Sequence, residues 1–365
     1  MDVRCAPPLD PAAQLTGLVL EGGWRVIAPA EEDDRDLEER FSYGYEVSGP
    51  NGQRGFLKAL NFVPMLRPAA RGSQSVADRL YACVAAYRHE RDLLCQCREK
   101  RLSRVVRVIA HGEVEIPSPG PLATVPYLIL EPAEGDVRQH LGVMRDLDLA
   151  WAFRALQHTA TGLKQLHQAG TTHQDLRPEN VLTQDQGREM KLGDLGKAIS
   201  ASLQAPHVDE AIPGNRGVAP PEQLYHASGC TDWEMRRAAD LYQLGSLAAY
   251  LFTRHSMTGL LHAYLSSPLR WGRWNDTYQA ALPFVREAFG RAMEEVESAV
   301  TARLRRADLA ERFIRIIWEL CDPDPRRRGH PKQHAAIGSP YGLQRYESQF
   351  NLLATIAQMG RLGRD

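Results

Sequence analysis

The sequence predicts an α+β fold of two lobes: a small antiparallel β lobe carrying one long helix, and a larger, mainly α-helical lobe. Short segments rich in β-branched and aromatic residues gather in the first part of the chain, with turn residues between them. Farther on, apolar residues recur at alternating spacings of three and four, the period of a helix with one buried face. A chain of 365 residues, 43% of them hydrophobic, is also long enough to bury two substantial cores.

Taken in order, Trp24-Arg25-Val26-Ile27, residues 43–47 and residues 55–60 read as three strands, with Pro50-Asn51-Gly52 as the turn between the second and third. Residues 68–75, rich in Pro, Ala, Gly and Ser, read as a flexible connection into a helix that carries residues 87–94. Residues 104–109 and 123–130 are expected to complete the sheet. Phe153, Leu156, Ala160, Leu163 and His167 mark a helix with Asp148 near its start and Gly170 beyond its end. Residues 238–252 are apolar nearly all round, which suits a central buried helix. Residues 283–304 and 310–320 read as outer helices, and an amphipathic one over 346–359 is expected on the larger lobe's surface.

The chemistry concentrates in His173-Gln174-Asp175-Leu176-Arg177-Pro178-Glu179-Asn180 and in Asp194-Leu195-Gly196. A carboxylate at Asp175 can take the proton from an attacking hydroxyl. The carboxamide of Asn180 and the carboxylate of Asp194 are oxygen ligands that suit Mg²⁺ against nucleotide phosphates. Asp175 and Asn180 lie five residues apart around a proline, so one short loop presents base and metal ligand together. The apolar run over 190–192 then delivers Asp194 from a neighbouring strand. Each piece alone has a plainer reading, since Asp-x-Gly is usually a turn and a lone lysine in an apolar strand usually snorkels to water. Their order and separation distinguish them.

This combination resembles the H-R-D-L-x-x-x-N and D-F-G segments of the eukaryotic-like Ser/Thr protein kinase superfamily, and the resemblance extends over most of the chain. Gly55-Phe56-Leu57-Lys58 is similar to the V-A-I-K strand, which implies that Lys58 grips the α/β-phosphates with Glu90 as its ion-pair partner. Tyr127-Leu128-Ile129-Leu130-Glu131-Pro132 resembles the strand entering the inter-lobe hinge; this implies Leu130 as gatekeeper and adenine contacts at Glu131 and Ala133. Ala219-Pro220-Pro221-Glu222 resembles A-P-E, with Arg328 as the partner of Glu222, and Asp240 matches the aspartate that supports the catalytic-loop backbone. These late elements are lacking in small-molecule kinases of the same fold, so the resemblance implies a protein substrate. Leu94, Leu195 and His173 are expected to stack toward Asp240.

The resemblance implies an N-terminal extension over 1–18, a small lobe over 19–131, a large lobe over 132–342 and a terminal helix over 343–365. It implies ATP and Mg²⁺ as cofactors, Asp175 as base, Lys58 and Glu90 as phosphate-positioning groups, Arg177 as a cation near the γ-phosphate, and Asn180 and Asp194 as metal ligands. Asp-Leu-Arg-Pro-Glu-Asn lies nearer the Ser/Thr form D-L-K-P-x-N than the tyrosine forms.

Four departures stand beside this likeness. The glycine-rich loop is missing; residues 31–42 are largely acidic and align Leu37, Glu39 and Ser42 with its glycines. Phe56 stands where the family has a small alanine beside adenine, while Gly44 replaces a valine on the facing strand, so a reshaped but open pocket is expected. Gln174 replaces the arginine that binds an activation-loop phosphate, and residues 203–222 contain no Ser, Thr or Tyr, so no phosphorylation there should be needed. Asn215 stands where a threonine usually contacts the base. The five retained positions favour catalysis, but a non-catalytic binding module remains a second reading and transfer of a whole nucleotide a third.

A net charge of −1 gives no footprint for nucleic acid. Six scattered cysteines, of which only Cys95 and Cys97 are close, suit free thiols in a reducing compartment better than zinc. No apolar run reaches the ~20 residues that cross a bilayer, so a soluble, cytoplasmic protein is expected.

Overall fold

The computed structural model describes residues 10–30, 42–66, 75–116, 123–335 and 338–360. They form two compact units, one within Met1–Arg101 and Val106–Ala133, the other within Leu102–Val105 and Glu134–Asp365. The chain is α+β, with strands dominating the first unit and helices the second. Among the described residues no helix is long and apolar enough to cross a membrane, and all five described cysteines are free.

The first unit contains β1 (Arg25–Pro29), β2 (Ser42–Ser48), β3 (Arg54–Leu60), the single turn α1 (Val63–Leu66), α2 (Val76–Glu99), β4 (Val108–Glu115) and β5 (Thr124–Leu130). Its antiparallel sheet has the order β1-β2-β3-β5-β4. Alternation along β3 sends Leu57 and Ala59 into a core with Tyr45, Val47, Tyr127 and Ile129. Residues before β1 complete that core: Ala12, Leu15, Leu20 and Trp24 are buried in it, and the Tyr45 hydroxyl donates to the Ala12 carbonyl at 2.7 Å. The opposite face carries Lys58 across from Gly44 and Leu128, and Phe56 across from Glu46 and Leu130. Helix α2 opens on a capping box, in which Ser75 and Asp78 satisfy each other's backbone N–H groups. The remainder of the expected flexible connection, residues 68–74, lies outside the described residues.

One expectation fails here. The strand predicted over 104–109 begins only at Val108, because Arg104 and Val105 belong to the second unit. Its backbone is claimed there: Arg104 N–H donates to Gln165 Oε1 at 2.9 Å, and the Arg104 carbonyl accepts from Leu192 N–H at 2.9 Å. The approach is close enough that a Cβ at Gly162 would lie 2.8 Å from the Arg104 carbonyl oxygen.

The second unit runs β6 (Gly135–Asp136), α3 (Val137–Val143), α4 (Leu149–Gln168), β7 (Thr171–Thr172), β8 (Val181–Gln184), β9 (Glu189–Leu192), β10 (Ile199–Ser200) and α5 (Pro221–Leu224). It continues through α6 (Trp233–Thr253), α7 (Met257–Tyr264), α8 (Tyr278–Thr301), α9 (Ala307–Cys321), α10 (Pro331–His334) and α11 (Gln344–Gln358). Asp148 caps α4 by accepting from Ala150 and Trp151 N–H, and Gly170 turns the chain away at φ 78°. Helix α6 is buried along most of its length. Helix α11 lies along α4, where Glu347 pairs with Lys164 and accepts from Thr161.

Helix α8 starts at Tyr278 instead of Pro283. Thr277 caps it, and the buried stripe Tyr278, Ala281, Leu282 and Val285 carries the helix through the one N–H that proline lacks. Helices α3 and α7 were not expected from sequence. Both are too short for the helical period to register, although their caps, Asp136 with Gln139 and Ser256, are visible.

His158 on α4 yields a prediction about stability. Its Nδ1 accepts from Met190 N–H, and burial together with the Arg104 and Arg154 guanidiniums pushes it from 6.5 down to about 3. Below pH 6.5 the unfolded chain takes a proton that the folded chain refuses. Stability should therefore fall on acidification from about 6.5 toward about 3, by up to about 1.4 kcal/mol per pH unit. Urea midpoints of the parent should drop between about pH 7 and about pH 5 more steeply than those of His158→Gln, which keeps an acceptor without the titration. Equal slopes would refute the assignment.

Candidate active site

In the first unit, β3 and α2 bring together two residues that are 32 positions apart in the sequence. Lys58 Nζ lies 2.9 Å and 3.0 Å from the two carboxylate oxygens of Glu90, whose side chain is 8% exposed. A buried carboxylate so paired fixes the amine on the sheet face that also carries Phe56 and Gly44. Phe56 is half-buried and Leu130, its partner in register, is buried. Glu131 N–H donates to the Arg107 carbonyl, its Oε1 accepts from Arg107 N–H, and Ala133 is exposed. The acidic residues aligned with the family's glycine loop, 31–41, lie outside the described residues.

In the second unit the loop between β7 and β8 is organised from beneath by α6. The fully buried Asp240 carboxylate accepts from His173 N–H (2.9 Å), Gln174 N–H (2.8 Å), Gln174 Nε2 (3.0 Å) and His167 Nε2 (2.7 Å). Burial alone would raise its pKa; hydrogen bonding and charge from His167, Gln174 and His173 carry it below the usual value instead. Gln243, one turn on, accepts from Leu176 N–H and donates to the Gln174 carbonyl. These bonds hold Gln174 at φ 65°, a conformation costly for a residue with a side chain.

The loop thus presents Asp175 in a defined orientation. Its Oδ1 accepts from Asn215 N–H at 2.7 Å, and its Oδ2 and carbonyl oxygen meet Asn180 Nδ2 at 3.3 and 2.8 Å. Burial raises the Asp175 pKa and nearby Asp194 adds to it, against the Asn215 hydrogen bond, His173 and Arg177. Asn215 reaches Asp175 through its backbone; its side chain accepts from Gly217 N–H. Gly214 leaves no room for a side chain, since a Cβ there would collide with the Gln174 carbonyl.

Asn180 and Asp194 suit a hard cation on the structure's own chemistry. The carboxamide nitrogen of Asn180 is held by Asp175, and its Oδ1 has no protein donor among the described residues. Asp194 is exposed, in a left-handed conformation (φ 52°) directly after the residue whose carbonyl meets His173 Nε2 at 3.1 Å. Arg177 is more engaged than expected: its Nε donates to Glu179, which also takes Arg138.

The end of this segment is fastened by a bidentate pair in the interior, with Arg328 Nη1 and Nη2 at 2.6 and 2.9 Å from Glu222. A model of the protein kinase domain matches residues 75–336. The chain belongs to the protein kinase family. The match begins at the cap of α2, leaving the strand with Lys58 and the aberrant acidic segment outside it.

Relatives of this kinase domain include the serine/threonine-protein kinase PknL of Mycobacterium tuberculosis, 30% identical over 132 residues, covering 36% of this chain and 31% of that protein. Mitogen-activated protein kinase 5 of Arabidopsis thaliana is 24% identical over 214 residues, 54% of each chain. The kinase/endoribonuclease IRE1 of Oryza sativa is 34% identical over 113 residues, 30% of this chain and 12% of that protein. The matched stretches thus cover from about an eighth to about half of these relatives.

Three residues of this constellation escaped sequence reasoning: His167 and Gln243, which hold the loop, and Arg236, which reaches the segment beyond Asp194. Arg236, Asp240 and Gln243 recur at spacings of four and three in a mostly apolar helix, so a polar stripe on one face was the available signal.

Proposed function

We propose that the chain is a Ser/Thr protein kinase that transfers the γ-phosphate of ATP to protein hydroxyls. The observation that carries this reading is the Asp175 carboxylate. Asn215 N–H fixes one of its oxygens and Asn180 the other, while burial raises its affinity for a proton. A base so held can orient a hydroxyl and accept its proton as the bond to phosphorus forms. Lys58, steadied by Glu90, would hold nucleotide phosphates, with Gly44, Phe56, Leu130, Glu131 and Ala133 forming the adenine side. Arg177, tethered to Glu179, would add positive charge near the transferred group. Asn180 Oδ1 and Asp194 would hold Mg²⁺, which when bound neutralises phosphate oxygens.

With no Ser, Thr or Tyr over 203–222 and Gln174 in place of the phosphate-binding arginine, the enzyme would work without activation-loop phosphorylation. Even charge and free thiols support a cytoplasmic setting. A second reading, a non-catalytic binding module, is favoured by Phe56 sharing the sheet face of Lys58.

The test uses ATP labelled at the α or the γ position, a degenerate Ser/Thr peptide library, and Asp194→Ala as control. Label from γ alone, lost in the variant, is expected. Label from α would mean nucleotidyl transfer. No label, together with nucleotide affinity created by Phe56→Ala, would mean a plugged site.

A further inference from the structure

Arg236, in the second turn of α6, is 1% exposed, yet none of its hydrogen bonds goes to a carboxylate. Its guanidinium faces main-chain oxygens instead: Nη2 donates to the carbonyls of Glu210 (2.6 Å) and Val208 (2.9 Å), and Nη1 lies 3.5 Å from the carbonyl of Ala211. Nη1 is also 3.5 Å from Gln174 Oε1, and the Arg236 carbonyl accepts from Gln174 Nε2 at 2.7 Å. One side chain therefore touches both the segment after Asp194 and the residue beside the catalytic base.

The stretch that it grips is already folded on itself. Glu210 N–H donates to the His207 carbonyl, and the buried His207 ring meets the Ala198 carbonyl at 3.3 Å. What remains open are carbonyls pointing inward. A guanidinium, planar, permanently charged and rich in donors, can serve several of them at once. Burial lowers the Arg236 pKa, while Cys230, Asp240, Glu210 and Asp209 work in the opposite direction. A few residues on, Gly214 abuts the Gln174 carbonyl and Asn215 N–H holds Asp175. The seat at 208–211 and the contact at 214–215 thus bracket the same loop.

We propose that Arg236 is a positioning residue: a built-in cation that holds the 201–215 segment against the catalytic loop through backbone carbonyls, where phosphate-switched relatives need an added anion. Its kinetic consequences rest on the kinase reading above; its ordering of the segment does not. Removing the guanidinium takes their donors from the partly buried carbonyls of Val208, Glu210 and Ala211, so the segment should loosen before the helices do.

The experiment compares the full chain with Arg236→Met, Arg236→Ala and Arg236→Lys by hydrogen exchange and by peptide phosphorylation. In Arg236→Met, amides of 203–215 should exchange at least about tenfold faster while α8 and α9 keep the parent's protection. KM for the acceptor peptide should rise about tenfold with KM for ATP unmoved. Methylguanidinium at low millimolar concentration should restore segment protection in Arg236→Ala without affecting the parent. Arg236→Lys should loosen the segment too, since an ammonium cannot span these carbonyls. It decides the matter if the shorter variants fail to fold. Unchanged segment exchange, or exchange rising equally everywhere with no rescue, would overturn the proposal. A parent that phosphorylates nothing would sink the kinase reading while leaving the exchange comparison to judge Arg236.

Discussion

Asp175→Asn is expected to lower γ-phosphate transfer by about 10²–10⁴-fold, the usual contribution of a positioned general base, while the protein melts no lower than the parent. The two results belong together. Asparagine keeps the shape and an acceptor for Asn215 N–H, so the segment contact survives; it gives up the long 3.3 Å bond from Asn180 Nδ2, which retains the carbonyl of residue 175 at 2.8 Å, and its carboxamide cannot take a proton. Burial has also raised the Asp175 pKa above its ordinary 3.8. A carboxylate whose folded pKa exceeds its unfolded one is held ionised at a cost to the fold at neutral pH, so replacing it relieves strain. The same shift places the acid limb of the parent's kcat/KM profile above pH 3.8, with activity falling as pH drops through the raised value. Steady-state assays with labelled ATP and thermal melts check both halves. Transfer near the parent's rate would remove Asp175 from the role given to it.

Asp240→Ala should be the most damaging substitution for stability, costing about 3–5 kcal/mol in urea unfolding, as when one partner of a buried polar cluster is removed. Four donors converge on that carboxylate, two of them backbone amides that cannot turn away. Without it they remain in a dry interior, and Gln174 loses what compensates its left-handed backbone. Because the folded-state pKa of Asp240 lies below 3.8, its stabilisation is complete above that value and is lost as pH falls through the depressed one. The deficit of the variant should therefore shrink in acid. A loss below about 1 kcal/mol at neutral pH would show that the loop is held by other means.

Much of this site was legible because its chemistry is local in sequence. Asp175, Asn180 and Asp194 sit in short motifs whose spacing the fold preserves, and alternation along β3 already placed Lys58 and Phe56 on one face. Glu90 was legible only through the likeness of residues 87–94 to the family's helix, since α2 carries many other charges that stay at the surface. Lost to sequence reasoning were features that depend on distant backbone. Arg104 and Val105 read as strand, yet Arg104 bonds with Gln165 and Leu192, and Val105 N–H donates to the Leu102 carbonyl. Asn215 read as a missing side-chain contact, whereas the contact is made by its amide. Pro283 read as a helix start, although its neighbours' burial outweighs one absent bond.

Arg236, Asp240 and Gln243 lie on one face of α6, at intervals that a turn of about 100° per residue brings back to nearly the same side. The loop bearing Asp175 and the strip over 208–211 consequently hang from a single keel. A slip of that helix by one residue would unseat both together. Readiness in this molecule is a property of one buried rod's rotational setting.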